Sequence, residues 1–288
     1  MGQWIYINGE IITSTEAKIS PEDRGLLYGD GVFETMRVYR GRPFLLEKHI
    51  ERMLRGSKEL EINLGGREQE LNNAVKEVIE ANGVDNGSLR LTLTRGTGPG
   101  GLWPTAPESF QATVMASARP AIPYTSEDYD RGFKAALISF PRNELSPVTR
   151  LKSLNFLENI LGRKEAQQKE TDEGLFINHQ GYLAEGTISN IFLVDNGVLY
   201  TPPEEAGLLP GITREIILEL GEKICQKAVE ENLTPSMLKN ADEAFLTNSL
   251  LEVMPLVELD GKPINSGKPG KTSEVLRERY RDYVKKHV

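Results

Sequence analysis

The stretch Gly31–Tyr39, GVFETMRVY, limits the fold more than any other part of the chain. Val32, Glu34, Met36 and Val38 alternate with Phe33, Thr35, Arg37 and Tyr39, and a period of two sends successive side chains to opposite faces of a strand. One face carries an aromatic ring, a hydroxyl and a guanidinium together, which is consistent with a common cavity. Around this strand the pattern keeps changing period. WIYING and EIITS read as a hairpin across Asn8-Gly9, helical spacing begins near Leu46 (Ile50, Met53, Leu54, Leu60), and a second helix is expected from about Glu68 to Glu80. Ser88 to Leu93 and Phe110 to Ala118 read as strands.

The prolines of ARPAIPYTSEDYD mark the best linker. Beyond it the spacing predicts a strand at Lys134 to Ser139, a helix from about Lys152 to Lys169, hairpins turning at His179-Gln180-Gly181 and Asn196-Gly197, and a helix from about Thr213 to Glu230. A short helix near Ser236, a strand AFLTNS, a pair around LVELDGKPI and a terminal helix complete the pattern. The expected class is α+β in two domains: 1–118, a linker at 119–130, and 131–288.

Composition narrows the chemistry. With 34 Lys plus Arg against 42 Asp plus Glu, the formal charge of −8 argues against nucleic acid or an anionic membrane as the main partner. The lone Cys225 excludes a disulfide framework, and with three His a dedicated metal site is not expected, so the hard chemistry must come from elsewhere. No apolar run approaches the roughly 18 residues of a membrane span. The amino terminus lacks a signal peptide's basic start and apolar stretch, so the cytoplasm is the expected compartment.

Taken singly, a lysine before a helix or a glutamate beside Gly186 is an ordinary solvated charge. Six segments in order change that: YGDGVFETMR, HIERM, LKSLNFLENILGRKEA, AEGTISNIFLV, GLLPGITRE and FLTNSLLEVMP. Together they resemble the class IV, fold type IV, aminotransferases, the group of branched-chain aminotransferase, D-amino acid aminotransferase and 4-amino-4-deoxychorismate lyase, over essentially the whole chain. The resemblance implies pyridoxal 5'-phosphate in the cleft between the two domains, at least a homodimer, and an amino acid donor with a 2-oxo acid acceptor.

Within that resemblance Lys152, expected in the second domain, is the amine that joins the cofactor's aldehyde and later moves a proton between two carbons. Burial and a neighbouring cationic ring would favour its neutral form. Glu185 is the carboxylate that pairs with the pyridine nitrogen. Thr187 and Ser189 line the ring. Arg52 grips the phosphate with its planar fork, the N–H groups of Ile212 and Thr213 serve it from a helix amino end, and Ser249 closes the cup. Tyr28, Phe33, Thr35, Arg37, Arg90 and Leu250 are implied in the substrate pocket, with Arg95 a further cation for a carboxylate.

The branch is divided. D-specific members carry an Arg and a His where this chain has Gly100 and Leu102. Branched-chain members read VFEGIR for VFETMR here, Gly-Thr-Ala for Asn248-Ser249-Leu250, and Tyr for Phe156, yet Arg37 and Arg90 match theirs. Thr35 and TNSLL resemble the lyase, while TRGTGPGG lacks the second Arg of the lyase loop. The expectation is a ping-pong aminotransferase acting on a branched-chain or D-type amino acid, with the lyase as alternative and a non-catalytic protein of the same fold behind it.

Overall fold

The computed structural model describes residues 3–104, 106–120 and 124–288. The chain divides into two compact units.

In the first unit, β1 (Trp4–Ile7) and β2 (Glu10–Thr13) form a hairpin in which Asn8 and Gly9 take positive φ of 47° and 95°, the left-handed conformations that a tight hairpin turn demands. A one-turn helix, α1 (Arg24–Tyr28), ends on Gly29 at φ 67°. Then follow β3 (Gly31–Tyr39), β4 (Arg42–Pro43), α2 (Leu46–Glu59), α3 (Glu68–Asn82), β5 (Gly87–Thr97) and β6 (Gln111–Pro120). The strands make one antiparallel sheet in the order β2-β1-β6-β5-β3-β4.

Register sorts this sheet's side chains into two sets. Val32, Met36 and Val38 join Leu89, Leu91, Leu93, Val114 and Ala116 in a buried core with Met53, Leu71, Val75 and Val78 of α2 and α3. Each Val, Leu and Met side chain among them contributes roughly 1.5–3 kcal/mol when fully buried. The other set is polar and basic: Thr35 pairs with Arg90 and Arg90 with Ser117, Phe33 pairs with Thr92, and Arg37 pairs with Ser88.

The same unit holds Leu151–Asn155, far away in sequence. Phe33 N donates to Lys152 O at 2.9 Å, Leu154 N donates to Gly31 O at 2.9 Å, and Val32 bridges Ser153 antiparallel. Two expectations are corrected here. Lys152 is not on a helix and does not belong with the second unit, because its backbone is spent on β3 and the helix begins only at Leu157.

The second unit contains α4 (Ser126–Arg131), β7 (Phe133–Leu137), α5 (Leu157–Gln168), β8 (Glu173–Ile177), β9 (Leu183–Gly186), β10 (Asn190–Asp195), β11 (Val198–Thr201) and α6 (Ile212–Ile224). After these come β12 (Lys227–Glu230), α7 (Pro235–Asn240), β13 (Glu243–Asn248), β14 (Glu252–Leu259), β15 (Lys262–Pro263) and α8 (Lys271–His287). Its mixed sheet runs β12-β11-β10-β13-β14-β7-β8-β9, with β15 on β14. The expected helix to Glu230 stops at Ile224: Cys225 is extended, and residues 227–230 pair parallel to β11 instead. Of the linker expected at 119–130, the ends belong to β6 and α4, and residues 121–123 lie outside the described residues. Among the described residues no helix is long and apolar enough to cross a membrane.

A Cβ on Gly31 would lie 2.5 Å from Leu93 O and 2.8 Å from Leu154 Cδ1. Gly31→Ala is therefore expected to push the Lys152 segment off β3 and to cost about 1–3 kcal/mol in urea unfolding. Unchanged stability would show that the segment adapts freely.

Candidate active site

The sheet of the first unit presents Lys152 beside its polar face. The amine nitrogen lies 4.7 Å from the Phe33 ring centroid, and Arg90 stacks on the same ring at 3.8 Å. Among the described residues Arg90 has no ion pair, so its guanidinium is available to an anion. Thr35 stands opposite Arg90 across the β3–β5 ladder. Arg37, on the same face, is more committed: it donates to Gly87 O at 2.6 Å and lies 4.8 Å from the Tyr39 ring. Arg95 is a correction. It donates to Asp30, to Leu60 O and to Glu61 O at 2.7 Å and is 3% exposed, so its donors are spent on structure and it offers no substrate carboxylate a partner. Tyr28 is exposed at the end of α1, with the Arg24 guanidinium 4.8 Å from its ring.

Arg52 projects from α2 toward β3. Its Nε donates to Glu34 Oε1 and its Nη2 to Glu34 Oε2, both at 2.7 Å. His49, one turn earlier, meets Glu34 Oε2 at 2.7 Å through Nδ1, which must carry the proton because a carboxylate only accepts. Burial raises a carboxyl group's pKa, but the charge and fork of Arg52 and the His49 bond outweigh it and hold Glu34 at about 2, below its usual 4.5. Burial lowers the His49 pKa from 6.5; the charges of Arg52 and Lys152 add to this and outweigh the opposing pull of Glu34.

In the second unit Glu185 ends β9 with both oxygens held. Arg142 Nη2 donates to Oε1 at 2.7 Å, and the Leu209 amide donates to Oε2 at 3.0 Å. Arg142 is also steadied by Asn159 at 3.2 Å. The next turn is drawn around buried Glu173, which accepts from the hydroxyls of Thr187 and Ser189, the latter at 2.8 Å. Those two hydroxyl protons point at Glu173, so what either offers a ring is its oxygen lone pairs or its methyl or methylene group.

Two more loops approach that turn. Asn190 Nδ2 donates to Leu209 O at 3.0 Å, next to Pro210-Gly211. Gly211 opens α6 with no side chain capping the first turn, and a Cβ on it would meet Asn190 Oδ1 at 2.1 Å. The first-turn amides, Ile212 and Thr213 among them, are thus the donors a helix start leaves for an anion. Asn248 accepts from the amides of Leu250 and Leu251 at 2.8 and 2.7 Å and donates to Ile188 O at 2.9 Å, which sets Ser249 and Leu250 at the tip of a fixed turn.

Residues 31–259 match the family model of amino-transferase class IV. The chain belongs to the class IV aminotransferases. A D-alanine aminotransferase of Staphylococcus haemolyticus is 35% identical over 97% of each chain. A Methanocaldococcus jannaschii protein, provisionally named a branched-chain-amino-acid aminotransferase, is 37% identical over 96% of this chain and 95% of its own. Among solved structures, a T.th. branched-chain amino acid aminotransferase with pyridoxamine 5'-phosphate has a TM-score of 0.91, is 30% identical, and is matched over 100% of this chain and 96% of that one. The 4-amino-4-deoxychorismate lyase of Pseudomonas aeruginosa has a TM-score of 0.84 at 30% identity, over 96% and 98%.

In this aminotransferase the residues that sequence patterns did not single out are the partners of the motif residues: Glu34 and His49 for Arg52, Arg142 for Glu185, and Glu173 for Thr187 and Ser189. Only Glu34 left a signal, a carboxylate among the apolar positions of β3.

Because folded His49 stays neutral where the unfolded chain takes up a proton, stability falls as the pH drops through about 6.5. Glu34, whose folded pKa is depressed, adds a loss below about 4.5. One group contributes at most about 1.4 kcal/mol per pH unit. His49→Gln is expected to flatten the slope of unfolding free energy between about pH 7.5 and 5.5. An identical slope in the variant would mean that His49 titrates normally.

Proposed function

We propose that the protein is a pyridoxal 5'-phosphate-dependent aminotransferase that moves an amino group between an α-amino acid and a 2-oxo acid in two half-reactions of a ping-pong cycle. The observation that carries this is the placement of Lys152: one amine on a backbone pinned to β3, 4.7 Å from Phe33, beside a sheet face that bears Arg37 and Arg90. The residues fit the cofactor. An amine suits its aldehyde, the doubly held Glu185 its pyridine nitrogen, and Arg52 with the uncapped start of α6 its phosphate.

When bound, the cofactor supplies the aldehyde that exchanges amines and the ring that accepts electrons from the substrate α-carbon. Lys152 Nζ would take the α-proton and return it at the neighbouring carbon. Glu185, kept from rotating by Arg142 and the Leu209 amide, would hold the proton on the pyridine nitrogen. Arg52, the amides of Ile212 and Thr213, and Ser249 would bind the phosphate. Thr187 and Ser189 would line the ring, and Tyr28, Phe33 and Thr35 of the first unit and Leu250 of the second would contact substrate. Arg90 would receive a substrate carboxylate, with Arg37 a second cation on the same sheet face.

Branched-chain or D-type amino acids are the donors that the relatives' names support. A second reading, release of pyruvate and p-aminobenzoate from aminodeoxychorismate, draws on Thr35, the Asn248 turn and the resemblance to the lyase structure. Half-reactions with L- and D-amino acids, followed by cofactor absorbance beside an assay for p-aminobenzoate, separate the two. Oxo acid without p-aminobenzoate is expected, and the reverse would replace the first reading with the second. Lys152→Ala is expected to cut turnover by at least about a thousand-fold while noncovalent cofactor binding persists. Activity within about ten-fold of the parent would remove Lys152 from proton transfer.

Self-association is part of this proposal. Leu157, Ile160 and Leu161 lie on one side of α5 and are 66%, 57% and 48% exposed, an apolar stripe that a second copy would cover. Ile160→Glu is expected to shift the species seen by light scattering from dimer to monomer. A dimer of unchanged affinity would place the interface elsewhere.

A further inference from the structure

We propose that Glu34, seconded by His49, is the positioning residue for Arg52, fixing its guanidinium in the plane that meets the cofactor phosphate. This rests on the reading of Arg52 as a phosphate ligand. Glu34 occupies a place where the fold itself calls for an apolar side chain. Its neighbours on the same face of β3, Val32 and Met36, are 1% and 0% exposed, and its own side chain is fully buried. Taking a carboxylate and a guanidinium out of water costs several kcal/mol per ion, and pairing recovers that in part at best. An apolar residue would bind β3 to α2 at lower cost, so cohesion does not account for the pair.

Geometry supplies another account. The two bonds of 2.7 Å from Nε and Nη2 to separate oxygens form a planar fork, which leaves the guanidinium no freedom to turn. His49 holds Oε2 at 2.7 Å from the same helix and keeps the carboxylate from following a rotation of Arg52. A free arginine side chain has many rotamers, and ordering it in advance removes that entropic cost from ligand binding. The Arg52 side chain is 11% exposed, so it is held almost wholly by the protein.

Glu34→Gln tests this with little change of shape. Glutamine has one accepting oxygen, and its amide group would set N–H against the N–H of Arg52 or His49, so the fork breaks. Apoprotein is titrated with pyridoxal 5'-phosphate and with pyridoxal, which lacks the phosphate, and Kd is read from absorbance. Glu34→Gln is expected to weaken the phosphorylated ligand about ten-fold or more while pyridoxal changes less than about two-fold. Arg52→Lys should lower the same ratio, and adding Glu34→Gln to it should lower it no further, because lysine cannot form the fork.

Equal weakening of both ligands, no weakening, or a full additional loss in the double variant would overturn the positioning role. If Arg52→Lys itself leaves the ratio unchanged, the reading of Arg52 as a phosphate ligand fails instead. Should Glu34→Gln not fold, as judged by thermal unfolding of the apoprotein, His49→Gln replaces it. Loss of one bond to Oε2 then predicts a ratio lowered about three-fold, and an unchanged ratio again overturns the proposal.

Discussion

The backbone pairing of Leu151–Asn155 with the start of β3 is the interaction on which the rest depends. Two backbone hydrogen bonds of 2.9 Å bring a segment from the middle of the chain to a strand near its beginning, and they flank and include Lys152. A lysine on a free loop would spread its amine over many rotamers, and effective catalysis requires the reacting groups to be pre-placed. Gly31 carries no side chain because a Cβ there would strike both Leu93 O on β5 and the Leu154 side chain of the paired segment. The alternation of β3 then separates two faces: Phe33, Thr35 and Arg37 share the polar face with Arg90, while Glu34 reaches through the core side to Arg52.

The second unit uses the same device with different residues. Buried polar side chains close its loops: Arg142 onto Glu185, Glu173 onto the turn at 187–189, Asn190 onto the approach to α6, and Asn248 onto the turn at 249–251. Each such group costs free energy to bury and returns it only when its bonds are made. Their common result is loops with little freedom at the places proposed to meet the cofactor's ring and phosphate. The acidic net charge of −8 is compatible with this, because the cations that matter are local and each is held by its neighbours.

How much of this could be read in advance follows from range. The faces of β3, the Asn-Gly hairpin and the start of α2 depend on near neighbours and were legible. The helix starting at Lys152 was not, because a pairing more than 100 residues distant in sequence overrode local helical spacing, as does the pairing of residues 227–230 with β11. Arg142 finds Glu185 43 residues away, and nothing in PRNELSP announces it. Arg95 was misread despite a usable signal: Leu89, Leu91 and Leu93 face the core, so a strand period of two sends Arg95 to their side and away from Arg90. Motif resemblance singled out the residues proposed to touch a cofactor, whereas the residues that hold those side chains became visible only through contacts.

Lys152, and no other amine, is expected to be where the cofactor attaches. Borohydride reduction of the holoprotein makes that linkage permanent, and peptide mass spectrometry then finds it. One reduced pyridoxyl adduct per chain is expected, on the peptide that contains Lys152. An adduct on a different lysine, or none on a protein that binds the cofactor, would contradict it.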